Sequence, residues 1–357
     1  MRARPRRAAL IAAAAQTACL MEVMAPKPGN VSRGRDLPGL TYGDFVLSAC
    51  AIGPAFHRHL RGPVGRLVLQ AVRGTRRQVR TNTNLGIILL LAPLARAALE
   101  SRGPFRDRLR RLLLALDVQD ARDAYRAIRL AGAGGLGKVK EQDVGAAPTL
   151  SLLECMRLAA GRDAVAREYA TGFETTLLVG LPALRRLRHR HTPLPVAIAQ
   201  TYLILLAAST DTLIARRHGI EAARAVRLSA RRVLRAGGFL TGRGRALAEN
   251  LDRDLRGARP PRNPGATADL TVASLFLWLL DDQGLLGRID AGGPDAVAAK
   301  APRRPLRGSS RARRRSSRRG WPSAPRRAGD ALPSRRRRRR KPPDPRRTAR
   351  RRGRRLP

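Results

Sequence analysis

The chain has 357 residues with 72 Lys plus Arg against 26 Asp plus Glu, a formal charge of +46 at pH 7, and only two Trp, four Tyr and six Phe. Residues 301–357 hold 25 basic and 2 acidic side chains among Pro, Ser and Gly, half of the whole excess, with too little apolar surface to offset the entropy of ordering. Cys19, Cys50 and Cys155 show no CxxC spacing, which excludes a disulfide scaffold and a thiolate zinc site and suits a reducing cytoplasm.

The expected organisation is a basic N-terminal extension (1–7), an all-α, single multi-helix globular domain of about ten or more helices (8–290), and a disordered Arg-rich C-terminal tail (291–357). Arg, Pro, Ser and Gly strings like those of the tail also arise when a GC-rich gene is read out of frame. Arg2 to Arg7 followed by an Ala-rich run imitates a signal peptide, but Gln16, Thr17 and Glu22 interrupt it, and the segment reads as a helix. The apolar stretches 85–94 and 194–208 are too short or too interrupted to span a bilayer and read as buried core helices, so no membrane partner is expected.

In chain order, the apolar periodicity predicts helices over 8–24, 41–58, 63–79, 84–99, 105–131, 149–188, 194–216, 219–235, 243–256 and 267–283. No strand alternation and no fixed repeat stands out. Thr41 and Asp44 have the spacing of a capping box. Pro104, Pro193 and Pro264 mark helix entries or breaks.

Five polar clusters interrupt this Ala/Leu/Arg texture. Pro26-Lys27-Pro28-Gly29-Asn30 is a stiff loop presenting a cation, which suits a phosphate as well as a plain helix-ending turn. Thr81-Asn82-Thr83-Asn84-Leu85-Gly86 offers more hydrogen-bonding groups than one helix cap consumes. Gly132 to Lys138 matches both GxGxxG and GxxxxGK, yet it follows a helical segment and Val139 replaces the Ser or Thr a Walker loop needs. What remains there is a loop whose N–H groups suit an anion, leading to Asp143. Arg162 and Asp163 sit inside an apolar pattern over 156–169. The last set is Asp211, Arg216, Arg217 and His218 together with Asn263, Thr267 and Asp269, where Asp269 stands one residue before an apolar helix. The five histidines have no metal-ligand spacing, and there is no nucleophile elbow.

Read together, PKPGNVSRGRD (26–36), TNTNLG (81–86), AGGLGKVKEQDV (133–144), MRLAAGRDAVAREY (156–169), DTLIARRHGIEAA (211–223) and NPGATADL (263–270) resemble the triphosphoribosyl-dephospho-coenzyme A synthase family in order and spacing, over about 8–283. Its citrate lyase and malonate decarboxylase branches continue PKPG with Leu or Met, Val and Asp. Asn30-Val31-Ser32 stands here, so the likeness is to the family-wide pattern. The resemblance implies an all-helical cytoplasmic transferase that joins the triphosphoribosyl part of ATP to 3′-dephospho-CoA with release of adenine, making a prosthetic-group precursor for an acyl carrier protein. A related pentosyl transferase with another acceptor, such as a pterin-type one-carbon cofactor precursor, is the alternative. A basic nucleic-acid-binding protein is a third reading, resting on the charge alone.

Given that reaction, residue type suggests roles. Lys27, Lys138 and Arg162 suit phosphate contact, and Asp143 and Asp163 suit Mg²⁺. Asp211 and Asp269 suit a general base for the attacking hydroxyl and a carboxylate stabilising charge at ribose C1′. Asn30, Thr83, Asn84, Gly135, Gly137, Arg217, Asn263 and Thr267 complete the expected substrate contacts.

Overall fold

The computed structural model describes residues 3–132, 134, 139–287 and 289. The tail and the loop residues Gly135, Gly137 and Lys138 lie outside the described residues, so the expectations placed on them stay as stated. Among the described residues there are fourteen α-helices and no β-strand. Helix α1 spans Ala3–Met24, α2 Tyr42–His59, α3 Val64–Gln78 and α4 Leu85–Leu99. The capping box before α2 forms as read: the Thr41 side chain accepts from Asp44 N and the Asp44 carboxylate from Thr41 N. Helix α1 begins inside the expected N-terminal extension. Arg7 is tied to the fold, its guanidinium donating to the carbonyls of Ala98, Glu100 and Leu285.

Three long periodic stretches break into shorter helices, and an Asp is the cap at a break in each. The stretch 105–131 becomes α5 (Phe105–Leu114) and α6 (Val118–Ala131), with Asp117 accepting from Asp120 N at 2.8 Å. The stretch 149–188 becomes α7 (Leu152–Ala159), α8 (Ala164–Thr171), a π turn at Thr176–Gly180 and α9 (Leu181–His189). Asp163 caps α8 through Ala166 N at 3.0 Å. The stretch 194–216 becomes α10 (Leu194–Ala208) and α11 (Thr212–His218), bent by 58° at Asp211. A short carboxylate offers the backbone N–H groups a partner outside the helix, which is why hydrophobic periodicity runs through these positions while the helix does not. The remaining elements are α12 (Ile220–Arg235), a 3₁₀ turn at Gly238–Leu240, α13 (Gly242–Gly257) and α14 (Gly265–Asp282).

Helices α4 and α14 are apolar on nearly all faces and are accordingly the interior pair. Ile88, Leu90, Leu91 and Leu94 of α4, and Val272, Leu275, Phe276 and Leu277 of α14, are fully buried. They pack on each other, with α1 on both and α9 and α10 on α14. Helix α1 is long and apolar enough to cross a membrane, but Ile11, Ala15 and Ala18 are fully enclosed in this same core. A second apolar cluster, including Tyr202, Leu206, Ile214, Val226 and Leu251, joins α10 to α11, α12 and α13. Arg108, 2% exposed, donates to the carbonyls of Ala97 and Leu286, so chain up to Leu286 is needed to close the core.

Candidate active site

A cavity of about 590 Å³ opens between the loop after α1, the start of α4, α6, the α7–α8 junction, α11 and the start of α14. Its size suits a nucleotide-scale ligand. Asn30, Thr83, Asn84, Asp143, Arg162, Asp163, Arg217, Asn263 and Asp269 all line it, as do Glu22, Arg76 and Arg80. Segments more than two hundred residues apart in sequence therefore converge on one space.

The PKPG loop is built as a rigid wall. Gly29 has φ +73°, a conformation costly for a side chain, and a Cβ there would meet the Arg262 carbonyl at 2.9 Å and Leu255 of α13 at 2.7 Å. Its N–H donates to Asp252 (2.7 Å), the Tyr202 hydroxyl donates to the Pro28 carbonyl (2.8 Å), and Arg256 donates to the Asn30 carbonyl. Asn30 then reaches Asn263 across the cavity, Nδ2 to Oδ1 at 2.8 Å.

Lys27 does not line the cavity. Its ammonium is enclosed and donates to the carbonyls of Glu22 (2.6 Å), Ala25 (3.0 Å) and Val31 (3.3 Å), with the Glu22 carboxylate 3.3 Å away. An ammonium has three hydrogens, and here all three are used within the protein. The expected phosphate contact is thus replaced by a structural one that holds the loop against the end of α1.

Asp211 is likewise committed. Oδ1 accepts from the N–H groups of Leu213 (2.9 Å) and Ile214 (3.0 Å), and Oδ2 from Thr267 N and Thr267 Oγ1, both at 2.8 Å. One carboxylate therefore caps α11 and, across the fold, the first turn of α14. Neither Asp211 nor Thr267 lines the cavity, so a base role for the one and a substrate contact for the other give way to a positioning role for both. Burial raises the Asp211 carboxyl above its ordinary value, offset in part by these hydrogen bonds.

Asp269 is not at a helix entry, since α14 already begins at Gly265. It makes no hydrogen bond with the described residues and lies against Gly86 of TNTNLG, where an added Cβ would come within 2.0 Å of Oδ2. Desolvation, then the nearby negative charges of Glu22, Asp211 and Asp163, push its carboxyl well above the usual range, with Arg216 opposing. Residue type did not single out Glu22, which is 2% exposed and lines the same cavity. The signal was present in the sequence as an acidic residue near the end of an Ala-rich helix, five positions before Lys27, but only the fold shows that its Oε1 is buried against the Lys27 ammonium while Oε2 makes no hydrogen bond to the described residues.

The remaining polar groups divide into anchored and open. Asn84 donates to Thr75 Oγ1 (3.1 Å), Thr83 Oγ1 meets Ser48 Oγ at 2.5 Å, and Asn82 accepts from Leu85 N (3.2 Å), so one TNTN side chain caps α4 and two tie it to α2 and α3. Arg162 and Arg217 are exposed at the cavity edge with no side-chain hydrogen bond to the described residues. Asp163 accepts from Ala166 N and from Arg216, while Asp143 accepts from Val139 N (2.9 Å) and Gly145 N (2.8 Å). Each oxygen of these two carboxylates thus accepts a hydrogen bond with one of its two lone pairs. Among the described residues no three His, Cys, Asp or Glu side chains gather where they could hold a metal ion. Mg²⁺ takes only one or two carboxylates beside water and phosphate oxygens, and Asp143 and Asp163 both line the cavity, so the expectation placed on them stays as stated. At the apolar end of the cavity, Tyr125, Ile128, Leu152 and Met156 form a wall on which a flat base could rest, with Tyr125 fixed by its hydroxyl to the Gln142 carbonyl at 2.6 Å.

Comparison with known proteins gives one consistent result. The family described as ATP:dephospho-CoA triphosphoribosyl transferase matches residues 8–286. A relative from Pseudomonas syringae pv. syringae, named as a 2-(5''-triphosphoribosyl)-3'-dephosphocoenzyme-A synthase, is 30% identical over 282 residues, covering 71% of this chain and 85% of the relative. One of the same name from Azotobacter vinelandii is 30% identical over 283 residues, covering 72% and 86%. A crystal structure from Archaeoglobus fulgidus, named for triphosphoribosyl-dephospho-coA synthase, superposes with a TM-score of 0.51 at 28% identity, covering 65% of this chain and 96% of that one.

Proposed function

The chain belongs to the ATP:dephospho-CoA triphosphoribosyl transferase family, and from that premise we propose that it transfers the triphosphoribosyl group of ATP to 3′-dephospho-CoA, releasing adenine and making a prosthetic-group precursor. The observation that carries this reading is the convergence of the separated motif segments on one cavity with a cationic edge, an apolar wall and carboxylates between them.

The chemistry assigns tasks to each part. Breaking the bond between C1′ and adenine places positive charge on the sugar and negative charge on the base, so the reaction needs a proton donor for the base and a proton acceptor for the attacking hydroxyl. Arg162 and Arg217, whose guanidinium groups make no hydrogen bond to the described residues, take the triphosphate, because planar cations pair with phosphate oxygens at two points. Asn30, Asn263, Thr83 and Asn84 line the space between and orient the ribose. Tyr125 and its apolar neighbours receive the adenine ring. Asp269 stands where the charge changes occur. Its raised carboxyl favours the protonated form, so it donates a proton to departing adenine more readily than it stabilises the sugar cation. Mg²⁺ would arrive on the phosphates of ATP, where Asp143 and Asp163 at the cavity wall would hold it, and no step is assigned to it. Both substrates belong to the cytoplasm, where we place the protein.

Incubation of the full chain with ATP, Mg²⁺ and 3′-dephospho-CoA, with adenine followed by chromatography, tests the reading. Adenine should appear only when the acceptor is present. ADP as the sole nucleotide product would overturn it, and adenine release with a different acceptor alcohol alone would move the assignment to another substrate.

A further inference from the structure

With Asp211 fully occupied by four hydrogen bonds, the transfer reaction lacks a proton acceptor, and the cavity contains a carboxylate oxygen in a position to serve. Glu22 stands two residues before Met24, the last residue of α1, is 2% exposed, and lines the cavity. Oε1 is buried against the Lys27 ammonium at 3.3 Å, whereas Oε2 makes no hydrogen bond to the described residues. The Lys27 ammonium 3.3 Å away supplies the positive charge that keeps such a carboxylate ionised, and its three carbonyl partners prevent it from moving off toward substrate phosphates.

We infer that Glu22 is the catalytic base of this site, accepting the proton of the acceptor hydroxyl at Oε2, with Lys27, which holds Oε1, as its positioning residue. The inference rests on the pentosyl-transfer reading above. In the step, the acceptor oxygen forms its bond to C1′ and its proton passes to Glu22. The electron pair of the C1′–N9 bond leaves with adenine, which takes the carboxyl proton of Asp269. Glu22 then holds a proton and Asp269 a charge. The pair resets by proton exchange with water once the products have left, and no further reactant is needed.

Groups facing Glu22 are Cys19 on its own helix, Lys27 on the loop, Asp269 on α14 and Tyr202 on α10, with Arg256 of α13 beyond Lys27. Burial raises the Glu22 carboxyl and Lys27 lowers it, leaving it above the ordinary value. The acid limb of the rate profile should therefore lie above the usual carboxylate range.

The test is Glu22→Gln in the full chain, with adenine release, ATP binding by calorimetry, melting temperature and the pH profile measured together. The expected result is kcat lowered by ~10²-fold or more, KM for ATP within about threefold, and loss of the acid limb. Glu22→Asp, which keeps the charge one methylene short, should recover at least about tenfold of that loss, and it carries the test if the Gln variant does not fold. Wild-type turnover in Glu22→Gln, a retained acid limb, or loss of ATP binding together with melting temperature would each overturn the base assignment while leaving the transferase reading in place. Wild-type protein that releases no adenine with any acceptor would overturn both.

Discussion

Asp211→Asn separates a capping role from a catalytic one. In the folded chain Oδ1 serves Leu213 and Ile214, and Oδ2 serves both donors of Thr267. Asparagine keeps one carbonyl oxygen for α11 but turns an NH₂ toward Thr267. The Thr267 hydroxyl can rotate to accept from it, whereas the backbone N–H of Thr267, in a residue 3% exposed, is left without a partner. Stranding one buried donor costs about 1–3 kcal/mol, and the relief from no longer burying a charge returns part of it. A net loss of about 2 kcal/mol corresponds to a fall in melting temperature of about 4–8 °C for a domain of this size. Asp211→Ala strands all four donors and should lose roughly twice as much. Differential scanning calorimetry of both variants, with adenine release assayed well below their transitions, gives the comparison. Turnover of the Asn variant should stay within about fivefold of wild type, against the ~10²–10⁴-fold loss expected for a missing base. Wild-type stability with a hundredfold loss of kcat would refute the capping argument.

Three further outcomes follow from the same geometry. Because the folded chain holds the Asp269 proton more tightly than the unfolded chain, stability contributed by this group is lost as pH rises above the ordinary Asp range. Asp269→Asn should therefore melt above wild type at pH 8 and level with it near pH 4, with turnover down ~10²-fold, and an unchanged pH slope of melting temperature would count against it. Gly86→Ala drives a methyl into Asp269 Oδ2, a side-chain tip that swings away cheaply, so stability should change by about 1 kcal/mol or less while adenine release falls at least about tenfold. Full activity in Gly86→Ala would show that Asp269 need not sit where it does. A chain ending at residue 300 should retain turnover, whereas one ending at Asp282 removes one carbonyl partner each of Arg7 and Arg108 and the fully buried Leu286, and should lose about 3 kcal/mol or more by chemical denaturation.

Helix content, the Thr41–Asp44 cap and the burial of 85–94 and 194–208 were legible because each depends on residues within a few positions of one another. Hydrophobic periodicity and capping chemistry are local, and α2, α4 and α10 form where that local pattern places them. The site was legible as a set of motifs but not as a set of roles. Asn30, Arg162, Arg217, Asn263 and Asp269 do share one cavity, yet chain order gives no means of telling an open carboxylate from one already bonded.

That distinction is a property of the tertiary structure, because an acidic side chain is available for chemistry only if folding has left its oxygens without partners. Asp211 and Asp269 look alike in the sequence, each an Asp beside an apolar helix. Packing of α11 against α14 uses all of the first and leaves the second against the bare Cα of Gly86. Lys27 looked like a phosphate ligand until the loop closed its ammonium on three carbonyls, and Glu22 looked like an interruption in an Ala-rich helix until that same ammonium came within 3.3 Å of it. The sequence by itself determined the all-helical class, the Thr41–Asp44 cap and the family. The placement of charge, and hence which carboxylates remain free to move a proton, was decided by contacts such as that of Asp211 with Thr267, 56 positions apart, which no local pattern encodes.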